Sequence, residues 1–170
     1  RVVTGHDDSG KSVFICDGDA GAVMEMESMP GLALTDLWVT DSSPADNIGN
    51  TDATDRPIVL EPPANGTIFR VVEFPPDSAW RDNADAKEAF GSIGADHATD
   101  DSSDDAMMHK TSTVDYLIVL KGEIWAILDD SETCLKQGDV MVQRGTNHSW
   151  SVRTNEPCLL AAILVDSAPV

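Results

Sequence analysis

The sequence predicts an all-β domain, and three observations carry the prediction. Short runs rich in β-branched and aromatic residues recur along the chain and are cut by Gly, Asp and Pro. From His109 to Trp150 these runs are spaced as an antiparallel meander, with turns at Lys121-Gly122, Asp129-Asp130-Ser131 and Gly138-Asp139. Two of the four histidines, His109 and His148, stand near the two ends of that stretch. A barrel that closes can bring such distant residues together around a metal or a substrate.

The elements follow in order. Arg1–Thr4, Lys11–Cys16 and Ala33–Thr40 are short candidate strands bounded by turn residues. Leu32, Leu34, Asp36 and Trp38 alternate with Ala33, Thr35, Leu37 and Val39, which suits a strand with one packed face. Asp41–Asn50 is loop by composition, and Pro57–Leu60 is a short strand before Pro62-Pro63. Thr67–Phe74 is a strand closed by Pro75-Pro76. Arg70, Val72 and Phe74 share one of its faces and Phe69, Val71 and Glu73 the other. One charged residue therefore faces inward, and needs a partner, unless the strand lies at an edge with a wet face.

Residues 76–106 form a long acidic loop. Asp82–Phe90 suits a short helix with Asp82 or Asn83 at its start and Gly91 past its end. Asp96–Asp105 is polar and acidic, and reads as a mobile flap or a poorly ordered loop. Beyond it, strands are expected at Val114–Leu120, Glu123–Leu128, Thr133–Leu135, Val140–Gln143, Ser149–Thr154 and Cys158–Val165. The last is apolar until Asp166 and is expected to be central. No internal repeat signals a second barrel.

Composition bounds the function. A chain of 170 residues, 41% hydrophobic, suits one globular domain. Eleven basic residues against thirty acidic give a net charge of −19, which repels phosphate backbones and anionic lipid. Neither nucleic acid nor membrane is an expected partner. Much of the acid is Asp in one loop region, so an acidic protein with Asp-rich loops is favoured over adaptation to high salt. No run approaches the roughly 20 apolar residues that span a bilayer, and no signal peptide is evident. Cys16, Cys134 and Cys158 are an odd count without close spacing. They suit buried free thiols in a reducing cytoplasm rather than a disulfide framework.

His109-Lys110-Thr111-Ser112-Thr113-Val114-Asp115 with Val119-Leu120-Lys121-Gly122, and Gly138-Asp139-Val140 with Gly145-Thr146-Asn147-His148, resemble the two motifs of a small single-domain cupin. The first cupin motif runs H-x-H-x-x-x-E; the second begins G-D-x-V and ends G-x-x-H. The resemblance covers about 110 to 165 firmly. It implies a double-stranded β-helix, the jelly-roll barrel, with N-terminal strands packed on it and a short helix in a long loop. It also implies one domain over 1–170, with core barrel motifs about 107–165 and the acidic loop 76–106. A homodimer formed through the N-terminal strands is a further implication.

Departures from the pattern bear on the site. Thr111 stands where the second histidine belongs, and Asp115 replaces the glutamate with a side chain one methylene shorter. The second motif lacks its usual proline, and Val152 stands where an asparagine is common. By resemblance, His109, Asp115 and His148 remain as metal ligands. Two imidazoles and a carboxylate can hold Fe, Mn or Zn with positions open for a substrate. Against this, the same histidines can simply hydrogen-bond within a pocket that holds no ion.

If His148 faces inward, Trp150 and Val152 do too, and Asp115 brings Leu117 and Val119 with it. The substrate pocket then includes Thr111, Leu117 and Trp150. Trp125 reads as packing, His6 as surface, and His97 as a loop histidine; Trp38 and Trp80 carry no functional signal. Two functions follow. One is a metal-dependent enzyme acting on a small organic substrate, with oxygenase, decarboxylase, isomerase and dehydratase chemistry all open. The other is a non-catalytic module that binds a small molecule without metal.

Overall fold

The computed structural model describes residues 1–83, 85–100 and 102–170; Ala84 and Asp101, both within the acidic loop, lie outside the described residues. The strands are β1 (Val2–His6), β2 (Ser12–Asp17), β3 (Val23–Glu25), β4 (Ala33–Thr40), β5 (Thr67–Phe74), β6 (Thr113–Lys121), β7 (Glu123–Ile127), β8 (Glu132–Lys136), β9 (Val140–Arg144), β10 (Ser149–Ser151) and β11 (Cys158–Asp166). Among the described residues one α-helix, α1 (Ala86–Ser92), sits in the acidic loop. The fold is mostly β, as the sequence predicts.

A six-stranded sheet has the order β3-β4-β5-β11-β6-β9, and a three-stranded sheet the order β10-β7-β8. Strand β11 is central, paired antiparallel with β5 on one side and β6 on the other. Its near-continuous apolar run is buried along most of its length, with Leu159, Ile163 and Val165 half-buried. Apolar side chains of both sheets meet in one core that includes Ile68, Leu117, Val119, Ile124, Leu135, Val152 and Leu160.

Four local expectations are corrected. The stretch after β6 is not a simple meander. β6 and β7 lie in different sheets, and the chain crosses between them at Gly122. Gly122 has φ +79°, and a Cβ there would come within 2.8 Å of the Pro157 carbonyl oxygen, so both conformation and space require glycine. Pro57–Leu60 is not a strand: the Val59 carbonyl accepts from the Arg70 guanidinium, and the Leu60 amide donates to Ile93. In β4 the alternation holds through Asp36 and then shifts. A register irregularity against β5 between Asp36 and Trp38 leaves Val39, not Trp38, as the next fully buried residue. Trp38 is half-buried beside the Arg1 guanidinium.

The fourth correction concerns the acidic loop. Its helix begins later than expected, with Asp85 as N-cap accepting from the Glu88 amide at 3.1 Å. Around it the loop is tied to the barrel by hydrogen bonds. The Asp77 amide donates to the Val152 carbonyl at 2.9 Å, and the Asp77 carboxylate accepts from the Val152 amide and the Ser151 hydroxyl. Arg81 bridges the Asp105 carboxylate, at 2.7 Å, to the Trp150 carbonyl. Instead of a loose flap, residues 96–100 turn once at Asp96–Ala98 and pair at Thr99 with His109. The loop thereby adds Trp80, Ala89, Phe90 and Ile93 to a second apolar cluster with Met26, Met29, Leu32 and Val72.

Arg70 and Asp36 answer the question of the inward charge. They face each other across β5 and β4, both buried, with two guanidinium–carboxylate contacts of 2.8 and 3.1 Å. A fork-on-fork ion pair satisfies both groups where water cannot.

Candidate functional site

A cavity of about 130 Å3 lies where the two apolar clusters meet. The residues singled out from the sequence all reach its wall: His109, Thr111, Asp115, Leu117, His148 and Trp150. Strand β6 supplies Asp115 and Leu117 because period-2 alternation sends them to the same face as Val119. His148 leads into β10 and shares a face with Trp150.

The histidines are closer than their separation in sequence suggests. Their backbones form an isolated antiparallel bridge, with amide-to-carbonyl hydrogen bonds of 2.9 Å in both directions. Residues directly opposite in such a pair project to the same side. The ring centroids are 4.2 Å apart and tilted by 49°, with Phe90 at 4.7 Å from the His109 ring. Each ring is oriented by a carbonyl two residues earlier in the chain. His109 Nδ1 donates to the Met107 oxygen and His148 Nδ1 to the Thr146 oxygen, both at 2.9 Å. A carbonyl only accepts, so the proton is on Nδ1 and Nε2 carries the lone pair.

Burial keeps both rings neutral. Desolvation lowers the pKa of His109 to about 4. Desolvation, together with the neighbouring His109, lowers that of His148 to about 3. Asp115 moves the opposite way, up to about 6, because burial disfavours the carboxylate; the Thr113 hydroxyl and the Arg70 charge offset only part of this. Thr111 is drawn into the same network. Its hydroxyl lies 2.7 Å from that of Thr113, which in turn hydrogen-bonds Asp115. One Asp115 oxygen, Oδ1, is buried without a hydrogen-bond partner.

The donor set decides how well a metal ion suits this wall. The two Nε2 atoms have the fixed tautomer of metal-ligating histidines. Yet among the described residues no three His, Cys, Asp or Glu side chains are gathered closely enough to hold one ion. Asp115 lines the same cavity but does not join the imidazoles as a third ligand, and Thr111 is engaged with Thr113. As placed, the residues do not fit the three-ligand centre implied by the motif.

Reasoning from sequence missed the wall contributed by the acidic loop. Trp80, Ala89, Phe90 and Ile93 of the loop line the cavity, as does Met107 just beyond it, and Trp80 is buried with its indole Nε1 unpartnered. Part of the signal was present: Ala86, Ala89, Phe90 and Ile93 follow the i, i+3, i+4, i+7 spacing of an apolar helix face. Arg70 also lines the cavity, with its charge already matched by Asp36. Trp125 instead faces outward beneath the Arg153 guanidinium, at 4.2 Å, and His97 is exposed beside Glu61.

No family model matches the sequence. The chain is 32% identical over 164 residues to Phomopsin biosynthesis cluster protein C' of Diaporthe leptostromiformis, an alignment covering 91% of this chain and 71% of that protein. It is 28% identical over 180 residues to the cupin-domain-containing oxidoreductase virC of Hypocrea virens, covering 100% of this chain and 77% of that protein. Among solved structures, the cupin domain of Cnp3 from Schizosaccharomyces pombe superposes with a TM-score of 0.50 at 13% identity, over 98% of this chain and 87% of that one. That likeness concerns the fold alone. With relatedness running along nine-tenths of its length and the motif residues on the inner wall of the barrel, the chain belongs to the cupins, as a small cupin-type protein.

Proposed function

We propose that this cupin is an enzyme that moves protons on a small organic substrate enclosed in the cavity. The carrying observation is the juxtaposition of Asp115, whose pKa is raised to about 6, with two neutral imidazoles on an otherwise apolar wall. A buried carboxyl poised near neutrality can take a proton from carbon or oxygen and return it. The paired Nε2 atoms accept hydrogen bonds from the substrate and orient it. The apolar wall excludes water, which strengthens each of these interactions. The enzyme-like names of the relatives support this reading. An oxidoreductase activity, as named for virC, would need an electron acceptor in addition to these groups.

The test is deuterium exchange in D2O, followed by NMR, on a panel of small enolisable hydroxy-carbonyl compounds. Wild-type protein is expected to accelerate exchange of at least one compound, and Asp115→Asn to slow it by ~100-fold or more. Absence of exchange across the panel, or an unaffected Asp115→Asn variant, removes the proposal and leaves a binding module. A second reading, a divalent metal held by His109 and His148 with Asp115 drawn in, is favoured by the two Nε2 lone pairs. Metal analysis of protein purified without added metal decides it: bound metal that disappears in His109→Ala supports the centre.

We also propose a homodimer, in a cytoplasmic setting that the three free cysteines suit. Among the described residues no helix is long and apolar enough to cross a membrane. The dimer is supported by the outer face of the six-stranded sheet. There Val142, Tyr116, Ile163 and Phe69 stand side by side across β9, β6, β11 and β5. Val142 is 55% exposed, Tyr116 49% and the neighbouring Val140 70%. Such a contiguous apolar surface on an otherwise acidic chain marks an interface. Tyr116→Lys is expected to convert a dimer to a monomer in light scattering; a wild-type monomer at micromolar concentration would rule this out.

A further inference from the structure

The polar atoms left without partners on the cavity wall specify what the cavity accepts, an inference that rests on the small-molecule reading above. The wall offers two ring acceptors, Nε2 of His109 and Nε2 of His148, neither with a hydrogen-bond partner among the described residues, and just behind it Oδ1 of Asp115 is buried without one. Trp80, a wall residue that is itself 5% exposed, carries an indole N–H buried without a partner. The one full positive charge on the wall, Arg70, is already held by both Asp36 oxygens and by the Val59 carbonyl. An anionic occupant would therefore meet no free counter-ion, and burying it unpaired is costly. An occupant that only accepts hydrogen bonds would leave the ring acceptors unmet.

Size narrows the class further. The cavity measures about 130 Å3, and an engineered apolar cavity of roughly 150 Å3 is known to admit benzene. We infer that the site takes a neutral molecule about the size of a single six-membered ring, bearing at least one hydroxyl donor. The ring fills the space among Leu117, Phe90, Val72 and Trp150. The hydroxyl donates its one proton to a single acceptor of the wall, Nε2 of His109 or of His148, and its oxygen accepts from the Trp80 N–H.

The probes are four one-ring compounds measured by titration calorimetry on the wild-type protein: phenol, anisole, toluene and benzoate. Phenol is expected to bind ~10-fold more tightly than anisole, which has the same oxygen and no donor, as the loss of one buried hydrogen bond implies. Benzoate is expected not to bind. Trp80→Phe removes the N–H together with part of the indole, so phenol is read against toluene: phenol is expected to weaken by ~5-fold or more beyond any change in toluene affinity.

Equal affinities for phenol and anisole, or tight binding of benzoate, overturn the substrate class while leaving the small-molecule reading in place, because a ring has entered. Failure of all four probes, with only buried water at the polar atoms, overturns both. The comparison among ligands on wild-type protein holds even if a variant does not fold.

Discussion

Asp36→Asn is expected to destabilise the protein by about 3–5 kcal/mol, the largest effect of any single substitution considered for this chain. Asp36 and Arg70 are opposite one another on adjacent strands, almost wholly buried, and Asp36 receives both arms of the guanidinium fork. The substitution leaves the Arg70 charge in the interior without its carboxylate partner, facing a neutral amide and the Val59 carbonyl. For a domain of this size each kcal/mol is worth roughly 2–4 °C in Tm, so a fall of about 10 °C is expected in a calorimetric melt. The double variant Asp36→Leu/Arg70→Met should recover most of that loss, because a well-packed apolar pair often replaces a buried ion pair at little cost. A single variant that melts within 2 °C of wild type would show that the pair is not stabilising the fold.

Acid is expected to weaken the fold through the two cavity histidines. Their pKa values in the folded protein, about 4 and about 3, lie below the ordinary 6.5. Below pH 6.5 the unfolded chain therefore binds protons that the folded chain refuses, and stability is lost as the pH falls. Between pH 6 and 4 this amounts to roughly 2.7 kcal/mol per pH unit for the pair, at 1.36 kcal/mol per unit for each. Asp115 acts in the opposite sense. Its folded pKa of about 6 lies above its ordinary 3.8, so the folded protein takes up the proton first and the burial penalty is relieved as the pH drops through that window. The three groups together leave a net loss of about 1.4 kcal/mol per pH unit. The check is chemical denaturation from pH 6.5 to 4 in the presence of a chelator, for wild type and for His109→Asn/His148→Asn. The double variant should lose this contribution to the slope; identical slopes would mean that these rings are not the acid-sensitive groups.

Much of the site could be read from residue order. Alternation in β6 puts Asp115, Leu117 and Val119 on one face whatever the neighbouring strands are, because a strand has a period of two. The same rule, applied from His148, carries Trp150 toward the cavity and Val152 into the core. The apolar run of β11 announced a central strand, and the two faces of β5 announced that either Arg70 or Glu73 would face inward and need a partner unless the strand had a wet edge face.

Other features could not be read this way, because they depend on contacts between segments far apart in the chain. The partner of Arg70 is 34 residues away, and its position opposite Arg70 depends on the register of β4 against β5. That the acidic loop becomes a wall rather than a flap depends on Asp77 meeting the backbone of Val152, 75 residues on. Composition alone argued for mobility, since it records the polarity of Asp and Ser but not which amides they will find.

Local order thus established a β-barrel with cupin motifs, the inward faces of its strands and the residues that would be near the site. Only tertiary packing set His109 directly opposite His148, left Asp115 apart from them on the same cavity wall and brought Trp80 to the cavity. The reason is the short range of the forces involved. Periodicity fixes the direction of a side chain, whereas ligation, desolvation and hydrogen bonding change over a few ångströms, a scale set by how sheets and loop pack against one another.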